Sequence, residues 1–264
     1  SETMQKRYDI TITNAKEFIN QCKIQKVNFH PIGVVQAWSP KSMKKAAKEL
    51  VSMGYDYIAI GGLVPLDIDT CEEIVNAVRE EIGFDIRMHL LGFAKAKQLE
   101  RFVKYKITSF DSTSPMIKSF KDSTQNYLTP EKYYTAIRIP SSDRTASLKR
   151  KISSGVIDQK TAQTLERKAL DTIRAYDKDQ ATLDETLNAL ENYEKIFRDK
   201  VPIDRYRDIL STKYWQKCQC EVCQSVKIET IIFRNSNRNR RRGFHNLWQF
   251  QRELEELKRG HNIC

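Results

Sequence analysis

From residue 31 to residue 111 the chain switches repeatedly between two spacings of apolar side chains. PIGVVQA (31–37), YDYIAIGGL (55–63), FDIRMHLLGFA (84–94) and KITSFD (106–111) are short, nearly continuous apolar runs. Runs of this kind suit strands of a sheet covered by other layers of structure. Between them, SPKSMKKAAKELVSMG, DIDTCEEIVNAVREEIG and AKAKQLERFVKY carry apolar residues three and four apart, the spacing of helices with one buried face. The first has Ser39 as a cap, Pro40 at the first helical position and a glycine stop, and the second has acids early and Gly83 at its end. Strand and helix in alternation predict parallel βαβ units.

The text changes near residue 130. TPEKYYTAIRIPSSD reads as irregular, and SLKRKISSGVIDQKTAQTLERKALDTIRAYDKD and ATLDETLNALENYEKIFRDK read as helices. Four βα-type strands are half of what a closed eight-stranded barrel needs. The expectation is therefore an α/β chain with four parts. Residues 1–30 form a helical lead-in, and 31–130 form the C-terminal half of a TIM-type (β/α) barrel. A helical insertion follows over 131–210, and a cysteine-bearing subdomain with a final helix over 211–264.

Composition narrows the class. With 40% hydrophobic and 30% charged residues in 264, the chain reads as globular. It contains no run of eighteen apolar residues and no apolar signal core in SETMQKRYDI. Three of six cysteines cluster and three (Cys22, Cys71, Cys264) are scattered, which points to a reducing, cytoplasmic setting rather than a disulfide framework. The net charge is +11, and Arg238, Arg240, Arg241 and Arg242 form a run dense enough to attract a polyanion. The plainer reading of such a run is a solvated charged face.

The segment KCQCEVCQSVKIETIIFRNSNRNRRRGFHN, Lys217 to Asn246, holds the sharpest chemistry. Three thiols in six residues cannot pair among themselves, and thiols two apart cannot form an unstrained bridge. Cys218, Cys220, Cys223 and His245 match the four soft or borderline ligands of a structural zinc ion. Free buried thiols are the alternative. Between the cysteines and the histidine, VKIETIIF reads as a strand, NSNRN as a turn and RRRGF as a basic segment.

In parallel α/β architectures functional groups gather at the C-terminal ends of strands. Here those ends carry Gln36, then Gly61, Gly62 and Leu63, then Leu91 and Gly92, then Asp111. Gln36 offers a paired donor and acceptor to an amide-like heterocycle. The two glycines let a flat ligand approach the backbone, and Leu91 offers it an apolar face. Asp111 is a carboxylate in the same row, and Asp can serve as a nucleophile at a sugar C1′. Each has a plain reading as well: glycines in a turn, Gln36 or Asp111 as caps.

Taken in order, VVQ, AIGGL, HLLGFA, SFDSTSP and the C-x-C-x2-C…H set resemble the tRNA-guanine transglycosylase superfamily over most of residues 31–250. The resemblance implies a TIM barrel with a zinc subdomain and exchange of guanine in a polynucleotide for a 7-deazaguanine by double displacement. It places Asp111 at the nucleophile, Gln36, Gly61, Gly62, Leu63 and Gly92 around the base, and Leu91 at the ring-stacking position. Cys218, Cys220, Cys223 and His245 fall on the zinc ligands. VVQAWSP, YDYIAIGGLVPL and SFDSTSPMIKSFKD are most similar to the branch that puts derivatives such as 7-cyano-7-deazaguanine into DNA. An Arg- and Gly-rich loop of the tRNA enzymes has no counterpart after Asp111. A tRNA-modifying relative and a non-catalytic nucleic-acid-binding subunit are the alternatives.

One departure matters. The family's acid/base aspartate lies in an N-terminal half that precedes the VVQ strand, and no matching stretch occurs before Gln36. The chain therefore resembles the C-terminal half of such an enzyme. A fragment, a split subunit or a degenerate paralogue would all look this way. The implied partners are DNA, a 7-deazaguanine base, and a second copy or a complementing N-terminal half-barrel chain.

Overall fold

A computed structural model describes residues 2–93 and 96–260, which form two compact units. The first comprises the residues up to Thr113 together with those from Leu257 on, and the second is Ser114–Glu256.

The first unit opens with a long helix, α1 (Glu2–Gln25), and continues with β1 (Gly33–Val35), α2 (Pro40–Ser52), β2 (Tyr57–Ile60), α3 (Ile68–Ile82) and β3 (Arg87–Leu90). A 3-10 helix over Ala96–Tyr105 leads to β4 (Ser109–Phe110). The strands form one sheet in the order β1-β2-β3-β4 with every neighbour parallel. That is the sequential order expected of successive βα units. Among the described residues the sheet is open, and closure into a barrel is not made by these strands. Ser39 caps α2 in a capping box with Ser42, and Asp67 caps α3 by accepting from Thr70 N. These caps satisfy amide groups that the first helical turn leaves bare.

The helix expected over AKAKQLERFVKY is a 3-10 helix instead, and Ala94 and Lys95 lie outside the described residues. Its buried residues explain the form. Leu99, Phe102 and Tyr105 are spaced by three, the repeat that eclipses side chains on a 3-10 helix.

The second unit holds α4 (Ser114–Lys121), four two-residue strands, and a set of helices. β5 (Tyr127–Leu128) pairs antiparallel with β6 (Tyr133–Tyr134), and β7 (Ile137–Arg138) pairs parallel with β8 (Ile232–Phe233). The stretch expected to be irregular therefore carries the short strands that tie this unit together. α5 (Ala146–Ser153), α6 (Gln159–Asp177), α7 (Leu183–Glu194), α8 (Ile203–Thr212), α9 (Tyr214–Lys217) and α10 (Glu221–Val226) follow.

Two sequence expectations fail after α10. VKIETIIF is not a strand but a 3-10 turn, Lys227–Ile231, leading into the two residues of β8. The supposed turn NSNRN and basic segment are the start of α11, one helix over Ser236–Gly260. Its buried positions include Arg242, His245, Asn246 and Gln249, so the buried stripe is polar at its centre. Periodicity of apolar residues could not reveal it. The helical segment and the cysteine segment also share one core, in which Ile173, Leu190, Tyr206 and Ile209 pack with Trp215, Cys223 and Ile231. Both lie in the second compact unit, which begins at Ser114.

Candidate functional site

Strand pairing in the first unit decides which side chains share a face. Val34 sits opposite Ala59, Ala59 opposite His89, and His89 opposite Ser109. The ladder continues one residue past the strands, since Gly61 N donates to Val35 O, Leu91 N to Ile60 O and Asp111 N to Leu90 O. Side chains alternate between faces along a strand. Two residues beyond Val34, Ala59, His89 and Ser109, on the same face, come Gln36, Gly61, Leu91 and Asp111. These four form one transverse row across the C-terminal end of the sheet. The opposite face, with Val35, Ile58, Ile60, Met88 and Leu90, is fully buried.

The other predicted base-binding residues frame this row. Gly62 and Gly92 have φ of +79° and +63°, the left-handed region that a side chain disfavours, so each turn needs its glycine. Leu63 is only 1% exposed, and its carbonyl accepts from Leu66 N and the Cys71 thiol. Its side chain belongs to the core, which leaves only its backbone to meet a ligand.

Asp111 is the carboxylate of the row, with its side chain 54% exposed. Its Oδ1 accepts from Gly92 N at 2.9 Å and lies 3.1 Å from His89 Nε2. The Gly92 N–H, with His89 adding to it and partial burial opposing, holds the carboxyl below the usual aspartate range. His89 Nδ1 is 2.5 Å from Ser109 Oγ, which is 2.6 Å from the Tyr57 hydroxyl. One assignment satisfies the line: Tyr57 donates to Ser109, Ser109 to Nδ1, and Nε2–H to the carboxylate. A neutral imidazole then points a donor at Asp111. Tyr57, Ser109 and His89 were not singled out from the sequence. The available signal was alternation, since His89 stands between Met88 and Leu90, both fully buried.

In the second unit, Cys218, Cys220, Cys223 and His245 converge, with ligand atoms within 4.8 Å of one another and all four residues buried. Local structure explains the spacing. Cys220 is the N-cap of α10 and its sulfur accepts from Cys223 N at 3.3 Å, so both thiols meet at one end of that helix. His245 approaches from α11. Its Nε2 lies 2.7 Å from the Leu128 carbonyl, which fixes the proton there, and its ring stacks on Tyr127 at 4.4 Å and 9°. Nδ1 therefore turns a lone pair to the three sulfurs, at 3.6, 3.4 and 3.4 Å. A tetrahedral ion with thiolate and imidazole ligands at ordinary bond lengths has nitrogen–sulfur edges of about 3.5 Å. Without a cation the thiols compete: hydrogen bonds from Cys218 and Cys223 hold Cys220 low, whereas its bond to Cys220 pushes Cys218 up to about 11. The cluster could hold a metal ion, and the donor set and its tautomer fit one.

The four arginines divide. Arg240 and Arg241 are exposed, and Arg238 is half-buried and paired with Glu229 at 2.5 Å. Arg242 is fully buried and donates to the carbonyls of Thr230, Ile232 and Ser119 and to Asn239 Oδ1. The expectation that Arg242 contacts nucleic acid is thereby corrected, because its side chain is buried and both terminal nitrogens are bonded within the second unit.

An open parallel sheet with a carboxylate in a row of strand-end residues, followed in the chain by a unit with a Cys3His cluster, agrees with the family whose model matches residues 1–260, queuine tRNA-ribosyltransferase. The chain belongs to that family. It is 40% identical over 256 residues to the DNA-guanine transglycosylase of Salmonella montevideo. That alignment covers 95% of this chain and 61% of the relative's length.

Proposed function

We propose that this chain carries the nucleophile, the base-binding row and the metal-bearing unit of a guanine transglycosylase acting on DNA. The observation that carries the reading is the transverse row, which brings Gln36, Gly61, Leu91 and Asp111 to one edge as a base-exchange site requires. Similarity to a relative named for DNA supports the polynucleotide.

In this reading the guanosine leaves the stack, at a cost of a few kcal/mol in a duplex. Its base lies against Leu91, with Gln36 and the backbone at Gly61, Gly62, Leu63 and Gly92 meeting its polar edge. The free oxygen of Asp111 attacks C1′ while the C1′–N9 bond breaks, and the bonding pair leaves with guanine. An acid must protonate the departing base, and Asp67, the next acid along from the second strand end, is committed to capping α3. We assign that acid to a complementing half-barrel or a second copy. The N9 of a 7-deazaguanine such as 7-cyano-7-deazaguanine then attacks C1′, its proton passing to the conjugate base of that same acid, and the C1′–O bond breaks to release the Asp111 carboxylate. Zinc held by Cys218, Cys220, Cys223 and His245 would fold its segment and leave no open coordination position. Arg240 and Arg241 would position phosphates without reading sequence.

The test is incorporation of labelled guanine into DNA and into tRNA by the chain together with the segment that completes it. Label in DNA with formation of a protein–DNA adduct supports the reading. Label confined to tRNA would favour the activity named by the family model, and an adduct that persists in Asp111→Asn would move the nucleophile elsewhere.

A further inference from the structure

Most exposed aromatic rings of this chain already have a partner. Phe18 and Phe29 stack on each other, Trp38 meets Tyr8, and Phe84 lies under the cations of Arg79 and Lys106. Phe244 differs. It is 58% exposed, and among the described residues no ring or cation covers it. It sits on α11 three and four residues after Arg241 and Arg240, so the two exposed guanidinium groups and the ring share one side of the helix.

The opposite side of α11 is anchored. Arg242 is tied to three carbonyls, His245 lies among the sulfurs, and Asn246 bonds Leu128 N at 2.9 Å and Pro115 O at 3.0 Å. A helix held so firmly by its buried polar face cannot roll to bury Phe244. A solvent-facing ring flanked by two cations is poor design for solubility alone. It suits a chain that alternates flat apolar bases with phosphates, because a base stacks on an aromatic face whatever its sequence.

We propose that Phe244 is a stacking platform for an unpaired base of single-stranded DNA, with Arg240 and Arg241 holding the flanking phosphates. The proposal rests on the DNA reading above. A duplex keeps its bases stacked on one another and offers the ring no face, so Phe244 favours a strand that has been opened.

Anisotropy with a fluorescent oligo-dT of about 12 nucleotides and a hairpin duplex tests this in the full chain. Phe244→Ala should weaken single-strand binding by about 10-fold, leave duplex binding and the thermal midpoint unchanged, and preserve the salt dependence. Phe244→Trp should restore binding, with its emission quenched by the oligonucleotide, and Phe244→Leu should not restore it. Unchanged single-strand affinity in Phe244→Ala overturns the platform while leaving the DNA reading intact, as does equal loss on both probes. Loss of self-association instead of DNA binding would make the ring a protein contact and overturn the proposal. A parent chain that binds neither probe removes the DNA reading itself.

Discussion

The two oxygens of Asp111 are not equivalent. Oδ1 takes both the Gly92 N–H and the His89 contact, so in the proposed reading Oδ2 is the oxygen that attacks. His89 in turn owes its tautomer to Ser109 and Tyr57, so it acts on the carboxylate as a positioning residue. His89→Phe removes one donor while the Gly92 bond stays. The acid limb of adduct formation should therefore move up in pH, since a carboxylate with fewer donors protonates at higher pH, and His89→Gln should recover part of the shift. A pH profile that stays in place in His89→Phe, with only its height reduced, would reduce His89 to a packing role. Asp111→Asn should abolish the adduct while DNA affinity stays within about 2-fold, because phosphate contacts dominate binding. Asp111 itself was legible because it ends an apolar strand. The line behind it was not, because no single-chain periodicity tells which polar residues on three different strands face one another. Only the register does.

At the scale of elements, α11 is where reading from sequence failed most and why it failed is physical. Its buried stripe is built from Arg242, His245, Asn246 and Gln249, residues that pattern analysis assigns to solvent. They are inside because each meets a partner there, and a buried polar group costs little once it is hydrogen-bonded. The metal quartet was legible for the converse reason. A C-x-C-x2-C cluster has few uses besides ligation, and N-cap-to-N3 spacing on α10 delivers two of its thiols together. Two outcomes follow from these partners. Protein purified without chelator should hold one zinc per chain by metal analysis, and Cys218→Ser should lose it together with the order of α9, α10 and the start of α11, read by hydrogen exchange. Arg242→Gln should cost about 1–3 kcal/mol through the carbonyls it leaves bare, measured by denaturant unfolding. A variant as stable as the parent would show that water takes over those bonds.

For the whole molecule, the excess of +11 charges sets how it meets a polyanion, but only the exposed cations count. Replacing Arg240 and Arg241 together should flatten the plot of log K against log salt by up to about 2, and Arg242→Gln should leave that slope alone. That contrast separates the arginines that the composition made look alike. The sheet sets a second condition. Among the described residues β1 pairs with β2 and β4 with β3, so the sheet is four strands wide, half of a closed eight-stranded barrel. Parallel strands are covered or paired in stable proteins, since a bare ladder edge recruits another strand. The chain also spans 61% of its relative's length. In the reading proposed above, base exchange takes place in an assembly in which another copy or a complementing half-barrel brings the acid for the departing guanine. Sedimentation of the chain should accordingly show self-association or capture of the complementing segment, with exchange activity rising in step with the assembled fraction. Robust exchange by a species that sediments as a monomer would place the acid within this chain and overturn the assignment.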